Sequence, residues 1–493
     1  MKKFKTSLLC IIVAIALIVS IFAVKQTKKE NDAFQTGSSY ITAENLALAF
    51  DSKVTDGNNN TCFTSHGKKD TAVTIDLGEE KEFNSIVLKE DGLNIKSFSI
   101  LISQDGEQFE TIYKSDKIEY HRLCTFDRVK ARFVKLFVDE ADRFFKLKEI
   151  EIYNQQPVHT NNFKRTAYIV NSCFYDILNN EALSESQKHT EIEKMLNSHN
   201  FSSLTNVIFY NGISFDKDGA VYVGNPEESQ SNALDEFRYM INCMREFGNP
   251  DLKISYCIGL SADADKNIAM KEQETLISNM ISLAETVGAD GIDIDYEFPQ
   301  SKEDYQIFGD FLIALKDRMK SKMPNGENLL LSCAFGTRDI DYPQEVIDCL
   351  DMVNMMTYDI FDQDGQHSSF WSCAVQGAKY LESIGFSKEQ INIGIPFYGT
   401  QTDALMEQYI YKNIDSFNYF ENTYTFESYF DGSPTEVYFN SPAMVRDKTA
   451  YALLAGYGGI MVWEFACDTD YSSPYSLWKA VDTAIEQFGG DAK

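Results

Sequence analysis

Hydrophobic and polar positions alternate along the first third of the chain with a period of two. Between residues 39 and 153, short apolar–polar segments are separated by turn residues such as Asp56-Gly57 and Asp105-Gly106. No helical period persists there for more than two turns. The segments predicted as strands are 72–77, 85–88, 98–103, 132–138 and 149–153. This pattern predicts an all-β sandwich.

Beyond residue 164 the pattern changes, and strand-like runs alternate with amphipathic helices. In the clearest helix, 304–319, apolar residues recur at 3.6-residue spacing, and Ser301 with Asp304 is predicted to cap its start. Eight strand–helix units predict a closed (β/α)8 TIM barrel. A doubly wound sheet is the alternative, but no GxGxxG follows any strand. The predicted strands are 167–171, 206–210, 253–258, 288–295, 329–334, 352–357, 391–395 and 459–463.

The N-terminus carries a third pattern. An apolar run at 8–24 has lysines on both sides, at Lys2, Lys3, Lys5, Lys25, Lys28 and Lys29. Positive charge ahead of an apolar run is typical of export, and this run lies at the short limit for a membrane span. It predicts an uncleaved signal anchor, with a cleaved signal peptide as the alternative. Either places the protein outside the cell, anchored to the membrane surface or secreted.

The predicted protein is therefore multidomain. It comprises an anchor or signal peptide at 1–25, a linker at 26–38, the β-sandwich at 39–155, a second linker at 156–164 and the barrel at 165–489.

Charge and cysteine content limit the classes of ligand. A net charge of −29 predicts a soluble protein that nucleic acid repels, and it favours a neutral or weakly cationic ligand. Cys10 lies in the apolar run, and the other nine cysteines are scattered without a CxxC pair. They indicate neither a zinc knuckle nor a disulfide framework. A single Cys62–Cys124 bridge stays open as an alternative.

The segment 290–297, Asp-Gly-Ile-Asp-Ile-Asp-Tyr-Glu, carries the candidate chemistry. On a strand, Asp293, Asp295 and Glu297 share one face, which lines the interior of a barrel. Glu297 comes last, at the mouth where barrel active sites lie. Repulsion and desolvation should raise at least one pKa in this stack, as a general acid requires. Two alternatives remain: a site for Mg²⁺ or Ca²⁺, or a solvated edge strand.

These residues resemble a known family. The octet resembles the D-G-x-D-x-D-x-E signature of family 18 glycoside hydrolases, and the Phe298-Pro299 that follows resembles chitinases. Three further runs resemble the family's sixth, seventh and eighth strand motifs, namely 351–359 (DMVNMMTYD), 394–399 (GIPFYG) and 458–464 (GGIMVWE). The resemblance covers residues 165–489.

The resemblance implies a role for each matching position. Glu297 is implied as general acid/base, Asp295 as the support of the sugar's acetamido group and Asp293 as its proton-sharing neighbour. The nucleophile is the substrate's own N-acetyl oxygen, and catalysis needs no cofactor. Tyr358 is implied to hydrogen-bond the acetamido oxygen, while the sugar subsite is lined by Met356, Asp359, Tyr398 and Trp463.

Two strands depart from the family's pattern. The third strand has 257–260 (CIGL) where chitinases carry Ser-x-Gly-Gly, and the second ends in 209–211 (FYN). These changes should reshape the wall of the cleft and leave the acid stack intact.

The β domain resembles the discoidin-like (coagulation factor type C) fold of family 32 carbohydrate-binding modules, through 56–61, 74–78, 103–109, 132–136 and 149–153. By position, Asp56, Asn58, Thr61 and Glu149 correspond to a structural calcium site of oxygen ligands. The alternative is that Asp56-Gly57 is only a turn. The module is expected to hold the enzyme at an insoluble polymer, so that its loss spares short soluble substrates.

The implied function is retaining, substrate-assisted hydrolysis of β-1,4-linked N-acetylglucosamine polymers, chitin or chitooligosaccharides. Other N-acetylglucosamine-containing glycans remain open as partners. The alternatives are an endo-β-N-acetylglucosaminidase on N-glycans, a peptidoglycan hydrolase and a lectin that binds glycans without cutting them.

Overall fold

The computed structural model describes residues 40–47, 52–159, 162–319, 328–337, 340–362, 369–401, 408–428 and 431–490. The predicted anchor at 1–25 and the linker at 26–38 lie outside these residues. Among the helices that the structure does describe, none is both long enough and apolar enough to cross a membrane.

The N-terminal sheet domain (residues 52–153) is one antiparallel sheet of six strands, in the order β1-β6-β2-β5-β3-β4. The sequence predicts two packed sheets. In the structure the long strands β2 and β5 instead connect all six strands into a single sheet. Shifts in their register between Asp76 and Lys81 and between Phe83 and Ser85 are bulges that let long strands bend around a core. The strands are β1 Phe63–Thr64, β2 Lys69–Glu90, β3 Ile95–Ser103, β4 Glu110–Ser115, β5 His121–Ala141 and β6 Lys146–Tyr153.

The C-terminal part is a closed barrel of eight parallel strands, as predicted. The last strand pairs with the first, which excludes the doubly wound alternative. Its strands are β8 Lys164–Val170, β9 Asn206–Phe215, β11 Lys253–Leu260, β12 Gly291–Tyr296, β13 Leu330–Phe335, β14 Met352–Met355, β15 Ile391–Pro396 and β20 Gly459–Trp463.

Smaller strands decorate the barrel. A four-stranded antiparallel sheet, inserted between β15 and β20, was not predicted from the sequence. Two further short strands pair with each other and join the stretch after the sheet domain to the C-terminal end. These elements are β7 Val158–His159, β10 Val221–Val223, β16 Tyr398–Gln401, β17 Gln408–Ile410, β18 Thr423–Glu427, β19 Pro434–Tyr438 and β21 Gly489–Gly490.

Helices surround the barrel. The predicted helix at 304–319 begins slightly earlier, at Lys302, and Ser301 Oγ accepts a 3.1 Å hydrogen bond from the backbone N–H of Asp304. The helices are α1 Ser172–Leu178, α2 Glu185–Asn197, α3 Gln230–Phe247, α4 Ala264–Lys271, α5 Glu274–Val287, α6 Lys302–Met319, α7 Gln344–Cys349, α8 Trp371–Ser383, α9 Pro442–Ala455 and α10 Leu477–Phe488.

Helix α9 is buried on all sides because the sheet domain covers the face that a barrel helix usually turns to water. The Asp447 carboxylate lies 3.2 Å from the Arg122 guanidinium of the sheet domain. It also accepts hydrogen bonds from Tyr113 Oη (2.5 Å) and from the backbone N–H of Thr125 (2.8 Å). A buried ion pair is tolerated only when such extra hydrogen bonds complete it. The two domains therefore form one continuous interior.

The cysteines in the described residues are free thiols, most of them buried. Cys62 and Cys124 do not form a bridge.

Candidate active site

Strand β12 carries the acid stack inside the barrel. Asp293 is fully buried and Asp295 nearly so, whereas Ile292 and Ile294 belong to the apolar layer between strands and helices. Tyr296 packs edge-on against Phe308 of α6, with ring centroids 5.1 Å apart. Because β12 lies between β11 and β13 in a closed sheet, the solvated-edge alternative is wrong.

Asp293 is held by hydrogen bonds from three other strands. Its carboxylate accepts from Tyr168 Oη of β8 (2.7 Å), Ser332 Oγ of β13 (2.5 Å) and Asn354 Nδ2 of β14 (3.3 Å). Burial raises the pKa of Asp293, and these donors oppose the rise by favouring the charged form. Asp293 is therefore a fixed anchor at the base of the stack.

Asp295 and Glu297 form a pair above this anchor. Their carboxyl groups hydrogen-bond each other. Burial raises the pKa of Asp295 well above its usual range, and the charges of Glu297 and Asp293 raise it further. Two carboxyl groups in contact share a proton and titrate as a unit. That Asp293 shares a proton with Asp295 stays a prediction, and the charge of Asp293 is one of the causes that raise the pKa of Asp295.

Glu297 is open to solvent at the mouth of the barrel, so a ligand can reach it. The surrounding protein nevertheless desolvates its carboxyl group and raises its pKa, and the charge of Asp359 raises it further. A carboxyl group that keeps its proton toward neutral pH is suited to general acid catalysis.

The aromatic wall of the cleft follows β14, β15 and β20. The rings of Tyr358 and Tyr398 meet edge to face with centroids 6.0 Å apart, and Tyr398 Oη donates to Asp359 Oδ2 at 2.8 Å. Trp463 is half-buried at the end of β20. Half-buried Met356 packs with Tyr358, Tyr398 and Trp463 in one interior cluster. The predicted barrel residues thus lie together at the carboxyl ends of the strands.

The two strands that depart from the family's pattern meet at this wall. A Cβ atom on Gly259 would lie 2.4 Å from Tyr210 Oη, so the glycine leaves room for the tyrosine. Tyr210 packs edge to face against Trp463, with ring centroids 5.9 Å apart. Tyr210 is thus a cleft residue, and its sequence signal was only the unusual end of the second strand.

Three residues around Asp293 were not identified from the sequence: Tyr168, Ser332 and Asn354. The alternation of side chains along a strand was a signal that could have placed Tyr168 and Ser332 on the interior face. Their contact with Asp293 also depends on the register between strands, which aligns Ser332 with Asp293. A single sequence does not contain that register.

The acid stack does not have the geometry of a metal site. Across the described ranges, no group of three or more histidine, cysteine, aspartate or glutamate side chains is arranged to hold a metal ion. Instead, hydrogen-bond donors surround Asp293 at the base of the stack, and burial raises the pKa of Asp295 and Glu297 at its mouth.

The predicted calcium ligands of the sheet domain do lie together. Asp56 accepts hydrogen bonds from Thr61 Oγ1 (2.7 Å) and from the backbone N–H of Asn58 (2.9 Å), which lower its pKa. The same N–H donates to Glu149 Oε1 at 3.0 Å. Burial, followed by the neighbouring Asp56, raises the pKa of Glu149 to about 7. The hydrogen bonds of Asp56 therefore form the turn of the alternative interpretation. The carboxyl group of Glu149 faces this turn.

Comparisons with known proteins follow this division of the chain. The profile described as "Glycosyl hydrolases family 18" matches residues 164–468, and that described as "NedA-like, galactose-binding domain" matches residues 53–136. A "Probable endochitinase" of Caenorhabditis elegans is 23% identical over 274 residues, covering 44% of this chain and 44% of that protein. The chain thus matches less than half of that relative's length.

Solved structures similar to this chain cover about two thirds of it. A family 18 chitinase of Flavobacterium johnsoniae is 17% identical, with 66% of this chain and 94% of that chain covered and a TM-score of 0.48. A chitinase of Bacteroides thetaiotaomicron is 18% identical, with 66% of this chain and 97% of that chain covered and a TM-score of 0.49. A chitinase-like agglutinin of Robinia pseudoacacia is 22% identical, with 65% of this chain and 98% of that chain covered and a TM-score of 0.47.

The geometry predicts that Asp359→Asn lowers the apparent pKa of the Asp295–Glu297 pair. The amide keeps an acceptor for Tyr398 but removes the negative charge that raises the pKa of Glu297. Carboxyl-carbon NMR titration, with signals assigned by difference from Glu297→Gln, measures the change. Asp310→Asn, on the exposed side of α6, is the matched control and should leave the titration unchanged. An unchanged or raised pKa in Asp359→Asn contradicts the prediction.

Proposed function

The chain belongs to the glycosyl hydrolases family 18 and carries an N-terminal galactose-binding domain, and on this premise we propose that it hydrolyses β-1,4-linked N-acetylglucosamine polymers, chitin or chitooligosaccharides. The observation that carries the proposal is the Asp295–Glu297 pair, two interacting carboxyl groups at the open mouth of the barrel whose pKa values are both raised by burial. A lectin needs no such acid, so the pair favours catalysis.

In the proposed reaction the substrate supplies its own nucleophile. Glu297 donates its proton to the departing glycosidic oxygen while the N-acetyl oxygen attacks the anomeric carbon and forms an oxazolinium ring. Glu297 then takes a proton from the water that opens the ring, so the product retains its configuration. The family's reaction needs no cofactor.

Two residues are proposed to orient the acetamido group. Asp295 Oδ1 is buried and has no hydrogen-bond partner among the described residues, so it can accept the acetamido N–H. Tyr358 Oη lies 3.9 Å from Met461 Sδ, and because a thioether is a weak acceptor, the hydroxyl can donate to the acetamido oxygen. Orientation of this kind converts a loose encounter into a near-attack geometry.

Trp463 is proposed to stack beneath the sugar ring, since its indole is half-buried and keeps an accessible face at the end of β20. Tyr168 and Tyr210 contact the same ring system at centroid distances of 5.3 and 5.9 Å and hold it in place. Met356, Asp359 and Tyr398 are proposed to complete this subsite.

Replacing Glu297 by glutamine is expected to lower kcat by about 10²–10⁴-fold, because the amide cannot donate a proton. Thermal stability and oligosaccharide binding should remain, since the two side chains are nearly isosteric. Release of reducing sugar from chitin oligomers measures the loss, and calorimetric titration measures binding. A variant that keeps more than a tenth of the wild-type rate would remove Glu297 from this role.

Assaying the wild type on N-glycopeptide and peptidoglycan beside chitin oligomers separates the alternative substrates. Cleavage of N-glycopeptide alone would replace the proposal by an endo-β-N-acetylglucosaminidase, and cleavage of peptidoglycan alone by a peptidoglycan hydrolase. Binding without any cleavage would indicate a lectin.

The substrate-assisted mechanism predicts that cleavage requires an acetamido group on the sugar whose anomeric carbon reacts. Fully deacetylated chitosan oligomers, which carry a 2-amine, and cellulose oligomers, which carry a 2-hydroxyl group, should both be inert because neither has the acyl oxygen that closes the oxazolinium ring. Rapid NMR of the fresh product should show the β-anomer. Brisk cleavage of deacetylated oligomers, or a first-formed α-anomer, contradicts the mechanism even if Glu297 is essential.

We also propose a structural calcium ion held by Asp56, Asn58, Thr61 and Glu149. The fit rests on two neighbouring carboxyl groups and on Glu149 Oε2, which is buried and has no partner among the described residues. Oxygen ligands of this type suit calcium, whose charge would relieve the repulsion between the carboxylates.

If calcium binds there, it should raise the Tm by several degrees relative to EGTA, since calcium at 100 times its Kd stabilises by ~2.7 kcal/mol. Asp56→Asn should abolish the rise. Asp105→Asn is the matched control because Asp105 accepts the same kind of backbone hydrogen bonds in a turn. No calcium-dependent change in the wild-type Tm would exclude the ion.

We further propose that the sheet domain binds carbohydrate at the polymer and that the N-terminal segment exports the chain to the cell surface or beyond. The first proposal is supported by the galactose-binding profile, and the second by the lysine-flanked apolar run. Titration of full-length Glu297→Gln with galactose tests the first, because N-acetylglucosamine oligomers would also bind in the cleft of this variant. Cell fractionation with and without residues 1–25 tests the second.

A further inference from the structure

The sheet domain contacts the segment that leads from the cleft into helix α8. We use the name β14–α8 loop for the described residues 356–362 and 369–370. It carries Met356, Tyr358 and Asp359, which line the cleft beside Glu297. The contacts come from the turn between β4 and β5 of the sheet domain.

Glu119 of that turn caps α8 from the other domain. Its Oε1 accepts the backbone N–H of Trp371 (3.2 Å) and its Oε2 accepts that of Ser372 (2.6 Å). Phe370, the residue that precedes the helix, makes no side-chain cap. The first N–H groups of a helix need acceptors and favour a negative charge. Glu119, only 4% exposed, supplies the acceptors from another domain, although burial raises the pKa of its carboxyl group.

Lys117 of the same turn holds the loop at a second point. Its Nζ lies 2.6 Å from Asp362 Oδ2, and the two side chains are only 15% and 8% exposed. Trp371 Nε1 also donates to the backbone carbonyl of His121 at 2.6 Å. The sheet domain therefore contacts this region at two points, Asp362 and the start of α8.

Backbone strain occurs on both sides of this contact. Glu119 and Tyr120 have φ values of 60° and 68°, and Asp359 has a φ of 56°. Left-handed conformations are unfavourable for a residue with a side chain, because its Cβ atom comes too close to the following carbonyl oxygen. They persist where the surroundings fix them, and they are common at functional sites.

The clamped end of the loop is tied to the cleft. Ser369 Oγ donates to the backbone carbonyl of Thr357 at 2.7 Å, between Met356 and Tyr358. Lys448 of α9 donates to the Ser369 carbonyl at 2.8 Å and to Asn440 Oδ1 at 2.7 Å. A displacement at the start of α8 would thus reach Thr357 through one hydrogen bond.

We propose that Glu119 and Lys117 are positioning residues for the cleft, which hold the β14–α8 loop so that Tyr358 and Asp359 face Glu297. The sheet domain then completes the frame of the active site in addition to any tethering. The inference rests on the proposed function for its activity readout. It replaces the expectation that loss of this domain spares short soluble substrates.

Glu119→Gln in the full chain tests the proposal, because the amide cannot accept both N–H groups. Amide hydrogen exchange at residues 371–374 should speed up. On short soluble chitin oligomers kcat should fall on the order of tenfold with little change in KM, since misplacing groups by ~1 Å costs up to about 10²-fold. A polymer-binding tether alone would leave these substrates unaffected.

The pH profile supplies a readout that a purely structural role would not move. Glu297 is faced by Asp295 on its own strand, Asp359 and Tyr358 on the loop, Tyr210 on β9 and Tyr398 on β16. Asp359 raises the pKa of Glu297, so its displacement lowers that pKa. The protonated acid is then lost at lower pH, and the alkaline limb of kcat should move to lower pH in Glu119→Gln.

Tyr113→Phe is the matched control, since it removes a hydrogen bond to Asp447 from the same interface without touching the loop. It should lower the Tm while leaving kcat, the alkaline limb and exchange at 371–374 unchanged. Lys117→Met is the second test, and it also serves if Glu119→Gln does not fold. Unchanged amide hydrogen exchange at residues 371–374 in both Glu119→Gln and Lys117→Met would overturn the proposal. Equal effects in Tyr113→Phe would overturn it as well.

Failure of the proposed function gives a different result. Faster exchange at 371–374 in a protein whose wild type cleaves no glycan would retain the clamp and reject the hydrolase. Wild-type cleavage with loop variants indistinguishable from it would retain the hydrolase and reject the clamp.

Discussion

A carboxylate inside a barrel must be compensated, and this constraint determines most of the interior around β12. Asp293 is compensated by donors from three other strands, which explains why Tyr168, Ser332 and Asn354 are polar at buried positions. Asp295 has no comparable set of donors and pairs with Glu297 instead, and burial together with the neighbouring charges raises its pKa well above its usual range. Along one strand the hydrogen-bond donors around the carboxyl groups thus become fewer toward the mouth, where the carboxyl groups interact with each other.

The sequence was sufficient for the features that depend on local periodicity. Alternation on β12 and the order of eight strand–helix units follow from the pleat and from chain order, and the structure agrees with both. Features that depend on register or on a distant segment could not be predicted. The partners of Asp293 depend on the register between strands. The burial of the charged triplet Arg446, Asp447 and Lys448 depends on a distant segment. In isolation that triplet indicates a solvated helix face, but a separate domain buries it.

The sheet domain also departs from its prediction for a physical reason. The pattern predicts separate short strands at 72–77 and 85–88 within β2, and only 132–138 within β5. In the structure the pairing of β2 with β5 contains register shifts, and both strands continue through them. A continuous sheet can then cover α9 with one broad surface. The same surface supplies the hydroxyl of Tyr113 and the guanidinium of Arg122 to Asp447.

The burial of α9 has a consequence for how such chains can be recombined. The polar stretch at 156–164 suggests a place where a binding domain could be exchanged between enzymes. The two sides of this stretch are not electrostatically independent, because Arg122 before it forms an ion pair with Asp447 after it. A foreign domain joined at that point would leave Asp447 without its counterion, inside an interior that water cannot easily reach. The unit of exchange, in a laboratory or in a lineage, is therefore the sheet domain together with α9, and substitutions at one of these charged positions should be accompanied by substitutions at the other.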